Sequence, residues 1–169
     1  MANGQTFPIG LAVSGATLES GRCHVRIRFT EPFGHVNQAG GIVLGYRSPQ
    51  QHYIFAELGA AYSAFSVGEF VPGFGWRPLI ATGMLENLRN DREYPLEVRL
   101  RGQEFRIIVD GVPVIQHLLS KPLEGKQVGL IAAGPNRIYF SDYFVESGRP
   151  RAFVAMEFGE PFDTFYRAF

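Results

Sequence analysis

Residues 94–115 read YPLEVRLRGQEFRIIVDGVPVI, and this stretch decides the fold. Leu96, Val98 and Leu100 alternate with Glu97, Arg99 and Arg101, the period of a strand with one face buried and the other in water. Gly102 and Gln103 mark a turn, after which Phe105, Ile107 and Val109 share a face. Asp110-Gly111 is the strongest short-range hairpin signal, because both residues adopt the positive φ of a type I′ turn. Pro113 predicts an edge or a bulge, since it has no N–H for a central ladder. The stretch therefore reads as a three-stranded meander.

The same alternation extends outward. In CHVRIRFT (23–30), Val25, Ile27 and Phe29 face one way and Arg26 and Arg28 the other. GGIVLGYR (40–47) is apolar on both faces, as in a central strand covered on both sides, and the turn SPQQ joins it to HYIFAEL (52–58) in a hairpin. AAYSAFSVGEFVPGFGWRPLIATG (60–83) reads as a strand, a Pro/Gly-rich loop and another strand. KQVGLIAAG (126–134) and RIYFSDYFVES (137–147) supply two more. In the last, Tyr139, Ser141, Tyr143 and Val145 are expected on one side and Ile138, Phe140, Asp142 and Phe144 on the other. Twenty glycines and eleven prolines punctuate these segments, giving on the order of ten or more strands, which favours a two-sheet sandwich.

Bulk properties narrow the function. A chain of 169 residues, 46% hydrophobic and 14% aromatic, suits one substantial core and is short for two complete domains. Sixteen basic and sixteen acidic residues cancel, so no net field attracts nucleic acid or an anionic membrane. No apolar run reaches membrane-spanning length. The single Cys23 and a start without a basic, then long apolar, leader predict a soluble protein of a reducing, cytoplasmic compartment.

The succession AGGIVLGYRSPQQHYIFAEL (39–58), YPLEVRLRGQEFRIIVDGVPVI and LEGKQVGLIAAGPNRIYFSDYFVE (123–146) resembles the concanavalin A-like lectin and glucanase sandwiches. More narrowly, it is similar to the laminin-G-like and 3-keto-disaccharide hydrolase-type branch. The motifs are structural: Gly41, Gly102, Asp110, Gly111, Gly125 and Gly129 at turns. The resemblance covers residues 10–147 or so. It implies an all-β, two-sheet antiparallel jelly-roll sandwich with a concave face and rim loops that in relatives often hold sugars. It carries no catalytic residue over to this chain.

Sugar recognition needs an aromatic plate for the ring's C–H face and polar side chains for hydroxyls. VPGFGWRP (71–78) offers Trp76, the only tryptophan, with Phe74 and Arg77, all three placed here on a loop between glycines and prolines. The competing reading folds Trp76 back as a plug over the sandwich end. A second group, Tyr46, Arg47, His52 and Tyr53, surrounds the SPQQ turn, and its plain reading is strand tyrosines with buried rings. Glu57 and Glu69 lie on segments that can neighbour each other, and a glycosidase needs two carboxylates across a cleft. Solvated strand-end glutamates are the competing account, and no Glu-x-Asp-x-x-Glu strand of the laminarinase kind is present. Asn90, Asp91 and Glu93 supply oxygens of the type calcium takes, but interleaved arginines oppose a cation. His24, His35, His52 and His117 show no ligand spacing, and GFG before Trp76 opens no nucleotide-binding helix. Neither a metal nor a cofactor is expected. Arg26, Arg28, Arg99, Arg101 and Arg106, with Glu97 and Glu104 among them, read as cross-strand ion pairs rather than a basic stripe.

The last stretch, RPRAFVAMEFGEPFDTFYRAF (149–169), breaks the pattern. RAFVAM carries a short continuous apolar run, EFGEPFD makes a turn, and Asp163 or Thr164 can cap a helix in TFYRAF. It resembles the opening strand-loop-helix of TIR-like and nucleoside deoxyribosyltransferase-like domains, whose catalytic parts are not in this chain. The expected organisation is a sandwich over 1–148 and, over 149–169, a linker with the start of a second, nucleotide-processing domain or a strand-turn-helix C-terminal extension. The functional expectation is a non-catalytic recognition module, binding a carbohydrate or small polar ligand through Trp76, Phe74, Arg77, Tyr46, Arg47 and Tyr53. It would act as a sensor ahead of an effector domain in a bacterial protein. The alternatives are a glycoside hydrolase or lyase of the 3-keto-disaccharide type and a platform for protein interaction or homo-oligomerisation.

Overall fold

In the computed structural model, residues 8–33, 38–60 and 62–148 are described. They form eleven strands: β1 (Ile9–Thr17), β2 (Ser20–Phe29), β3 (Ala39–Tyr46), β4 (Tyr53–Leu58), β5 (Ser63–Val71), β6 (Gly75–Met84), β7 (Glu93–Arg101), β8 (Glu104–Val109), β9 (Val112–Leu118), β10 (Gln127–Ala133) and β11 (Ile138–Ser147). Six make one sheet in the order β1-β10-β3-β4-β5-β6, and five make the other in the order β11-β2-β7-β8-β9. Every ladder is antiparallel. The all-β, two-sheet expectation holds. The tail expected to hold a strand, turn and helix lies outside the described residues.

The alternating apolar positions meet between the sheets. Val25, Ile27 and Phe29 of β2, Leu96, Val98 and Leu100 of β7 and Phe105, Ile107 and Val109 of β8 pack against Ile42, Leu44, Ile54, Ala56, Leu58 and Val67 of the larger sheet. Nearly all are inaccessible to water. At about 25 cal/mol per Å² of apolar surface removed from water, each large side chain contributes about 1.5–3 kcal/mol. The β8–β9 turn is as expected: Asp110 and Gly111 both have positive φ, 52° and 77°. Pro113 lies on the edge strand β9 at a register shift against Ile107 and Ile108. The outer face of the smaller sheet carries ion pairs, among them Arg22–Glu146 at 2.7 Å, Arg26–Asp142 at 2.7 Å, Arg99–Glu97 at 2.5 Å and Arg106–Glu104 at 2.9 Å. Arg22, Arg26, Arg99 and Arg106 are thus each paired with a carboxylate, while Arg28 lies over the Tyr139 ring.

Two expectations need correction. The strict alternation expected through β11 fails, because the register shifts between Ser141 and Phe144 and Asp142 adopts φ 51°. This bulge inserts one residue, so Tyr143 and Val145 pack on the core with Ile138 and Phe140, while Tyr139 and Phe144 face out. The Pro/Gly-rich loop is also much shorter than expected. β5 runs to Val71 and β6 begins at Gly75, leaving three residues between them. Phe74 N–H donates to Val71 C=O at 3.0 Å and Gly73 has φ 79°, so Pro72-Gly73 forms a type II turn that glycine fits without strain. Trp76 and Arg77 therefore stand on strand β6, not on a loop.

Candidate ligand-binding face

The larger sheet turns its other face away from the core, and the ladder register fixes what that face presents. One transverse row runs Leu11, Ile131, Gly41, Glu57, Ser66, Ala81 across β1, β10, β3, β4, β5 and β6. The next runs Val13, Gly129, Val43, Phe55, Gly68, Pro78, and a third holds Tyr53, Phe70 and Trp76. Directly paired residues on one face stand about 4.5–5.5 Å apart, so neighbours along a row meet wherever both carry a side chain. Bulk alternates with its absence: glycines flank Phe55 on either side of the Val43–Phe55 pair, and Gly41 and Ser66 flank Glu57.

The aromatic side chains form one cluster. Tyr53 stacks on Phe70 with centroids 5.1 Å apart, and Tyr46 lies 5.4 Å from Tyr53. Trp76 meets Phe55 at 5.0 Å, Phe70 at 5.4 Å and Tyr53 at 5.7 Å, tilted or edge-on geometries that aromatic quadrupoles favour. Gly68 permits this arrangement. A methyl group built there would overlap the Phe55 ring, so only glycine lets Phe55 lie flat on β5 and Trp76 lean over it. Trp76 remains 38% exposed, an aromatic surface held rigid from below.

Beside this surface lies a recess of about 130 Å³, lined by Phe55, Glu57, Ser66, Gly68, Trp76 and Pro78 among others. Of its three polar side chains, Arg77 is held by Glu69, and Glu57 and Ser66 are the other two. Glu57 is 5% exposed, and burial alone pushes its carboxyl up to about 8, with no charge or hydrogen-bonding side chain of the described residues acting on it. Ser66 Oγ is buried and has no hydrogen-bond partner among the described residues. Buried polar groups are normally paired, and a desolvated carboxyl in a recess makes that recess a functional-site candidate.

Of the expected site residues, Trp76, Tyr46 and Tyr53 are brought together in this cluster. Phe74 stands at the tip of the β5–β6 turn, 88% exposed, adjacent to the cluster but packed on none of it. Arg77 follows Trp76 and serves the opposite face: its Nε donates to Glu69 Oε1 at 2.5 Å, while His52 Nε2 lies 2.6 Å from Glu69 Oε2. Burial opposes the charge on Glu69, but hydrogen bonds from His52 and Arg77 outweigh it and hold the carboxyl below its ordinary value. This trio lines a second recess of about 350 Å³ at the end of the sandwich, with Ile54, Leu119 and Leu123. Arg47 is exposed just after β3, and its charge is felt by Glu124 rather than by the cluster. Glu57 and Glu69 are not solvated strand ends. They are buried on opposite faces of the sheet, Glu57 in line with Phe55 and Glu69 paired to Ile54, so they do not confront one another across a cleft.

Ser66, Phe55 and Gly68 escaped the sequence reading as site residues, and Glu57 entered it only as half of a carboxylate pair with Glu69 that was set aside for solvated strand ends. The available signal was a carboxylate inside YIFAEL (53–58), a strand otherwise apolar on both faces. Among the described residues, no group of three His, Cys, Asp or Glu side chains could hold a metal ion.

This arrangement of sheets recurs in known structures. A carbohydrate-binding module of Bacillus subtilis, CBM66, superposes with a TM-score of 0.67 at 18% identity, over 82% of each chain. The fold is that of the concanavalin A-like sandwiches. A tetrameric galectin from the ball sponge Cinachyrella sp. gives 0.56 at 8% identity, over 81% of this chain and 98% of the other. The laminarinase catalytic domain of Thermotoga maritima gives 0.53 at 15% identity, over 76% and 63%. No protein-family model matches the sequence, and no curated protein matches it significantly. At these identities the likeness establishes architecture, and chemistry rests on the site itself.

Proposed function

We propose that this sandwich is a non-catalytic carbohydrate-recognition module that holds a sugar ring on the outer face of the six-stranded sheet. One observation carries the reading: a half-exposed Trp76, locked by Phe55, Phe70 and Tyr53, borders a recess that holds the buried carboxyl of Glu57 and the Ser66 hydroxyl, which has no hydrogen-bond partner among the described residues. A sugar has the matching surfaces, an apolar C–H face for the indole and hydroxyls that bond the carboxyl and the serine. An aromatic body fixed in advance lowers the entropy lost on binding. The fold shared with a carbohydrate-binding module and a galectin supports a saccharide ligand. Recognition is preferred to hydrolysis because Glu57 and Glu69 lie on opposite faces and offer no acid–nucleophile pair.

A glycan array followed by calorimetry on the wild type and Trp76→Ala tests it. Saccharide binding weakened at least tenfold by the substitution is expected. Binding to no saccharide, or binding indifferent to Trp76, refutes the assignment.

A second reading, a protein-interaction platform, has its own support in the exposed apolar side chains Phe74, Trp76, Leu79 and Met84 along the edge strand β6 and its turn. Sedimentation velocity of the wild type against Phe74→Ser separates the two, because self-association through this edge would be lost in the variant.

A further inference from the structure

We infer that the recess between Trp76 and Glu57 selects a sugar bearing a free ammonium group, an unacetylated hexosamine, over neutral sugars. The inference rests on the carbohydrate reading above and names the ligand class within it. Its basis is the charge balance of the recess. Glu57 is nine-tenths or more buried and lines the cavity, and no cation or hydrogen-bond donor side chain of the described residues acts on it. Arg77, the cation at the recess's edge, is held by Glu69 on the other side of the sheet. The charge that Glu57 can carry thus has no counterpart in the described part of the molecule, and a buried carboxylate without one is strongly disfavoured.

A neutral sugar would satisfy the hydrogen-bonding capacity of Glu57 but not its charge. An ammonium group satisfies both. It has three N–H donors, and the recess presents three acceptor oxygens, two on Glu57 and one on Ser66, which are paired across the β4–β5 ladder. The arriving cation also supplies the opposite charge that draws the proton from a carboxyl which, in the empty site, burial holds at about 8. The walls suit the same ligand: the rings of Phe55 and Trp76 lie 5.0 Å apart on the adjoining rows, and aromatic faces attract a cation and the polarised C–H bonds beside it. The neighbours of Glu57 are small. Gly41 and Ser66 flank it on the same row, so that row carries no bulky side chain beside the carboxyl.

The experiment is calorimetric titration of the intact chain with three probes: a glucosamine trimer, its fully N-acetylated counterpart and a glucose trimer. The wild type is expected to bind the amine at least tenfold more tightly than the other two. Glu57→Gln, nearly the same shape without the charge, is expected to bring the amine down to the neutral level, and Ser66→Ala to weaken it less. The comparison among the three probes uses the wild type alone and does not depend on either variant folding. Equal or tighter binding of a neutral probe, with loss in Trp76→Ala, overturns the ammonium preference and leaves the carbohydrate reading standing. Full retention of amine binding in Glu57→Gln also overturns it. Binding of none of the probes overturns the inference, and only an empty glycan array in addition removes the broader reading.

Discussion

Replacing Glu57 by glutamine should change not the stability of the protein at one pH but the slope of stability against pH. The folded-state carboxyl titrates at about 8 against an ordinary 4.5. Between these values the folded state holds a proton that the unfolded chain has released. Folding is therefore favoured below pH 4.5, and the advantage drains away as the pH rises through the window to about 8. At about 1.4 kcal/mol per pH unit, the whole window amounts to roughly 5 kcal/mol, and the span from pH 5 to 8 to roughly 3–4 kcal/mol. For a domain whose total stability is about 5–15 kcal/mol, that is a large fraction. Glutamine has no proton to lose. Urea unfolding of both proteins at pH 5, 6, 7 and 8, followed by the fluorescence of the single Trp76, gives the two curves. The advantage of Glu57→Gln over wild type should widen by roughly 3–4 kcal/mol across that range. The difference between the proteins is the proper quantity. His24, whose burial lowers its own titration point, adds a rise of stability with pH that is common to both. A difference that stays constant from pH 5 to 8 would refute an unpaired, buried carboxyl at position 57.

Three other outcomes follow from the packing. Gly68→Ala should cost about 1–3 kcal/mol by forcing Phe55 off its seat, and the displaced contact with Trp76 should shift the emission maximum; an unchanged melt and spectrum would count against the arrangement. Arg77→Gln should lower stability modestly at neutral pH and lose less of it in acid than the wild type, so that the gap between the two closes as the pH falls. Glu69 is held below its ordinary value partly by Arg77, so its contribution is present above about pH 4.5 and is lost as the pH falls. Acid-induced unfolding curves that coincide for variant and wild type would oppose this. Cys23 is buried, and burial pushes its thiol up to about 11, so a thiol reagent at pH 8 should label it only at the rate of unfolding. Labelling as fast in the native protein as in urea would contradict that burial.

The architecture was legible because residues 94–115 and 23–30 alternate without interruption, and alternation maps directly onto one buried and one solvated face. β1 was the least visible strand: in IGLAVSGAT (9–17) small residues fill the intervening positions, and the register against β10 shifts between Val13 and Thr17. The bulge at Asp142 was invisible for a different reason. One extra residue is not marked by composition, yet it exchanges the faces of everything after it. The aromatic half of the site was partly legible, since Trp76, Tyr46 and Tyr53 attract notice by type. Glu57 was set aside because a glutamate near a strand end is ordinarily solvated. Its burial depends on Gly41, Ser66 and Trp76, which reach it only through three ladders between strands β3 to β6. Arg77 was misread by one position: on a strand, the neighbour of a residue on one face belongs to the other.

Two of the four edge strands, β6 and β9, carry Pro78 and Pro113, each next to a register shift at which the edge strand itself holds one extra residue, Leu79 and Val114. A growing sheet needs an unbroken row of N–H and C=O groups, and at these two edges that row is interrupted by a residue with nothing to donate and kinked by the extra residue beside it. The exposed aromatic surface beside β6 is thereby separated from the one event that would make it hazardous at high concentration, the recruitment of another chain's strand. Strand-by-strand polymerisation is obstructed at β6 and β9.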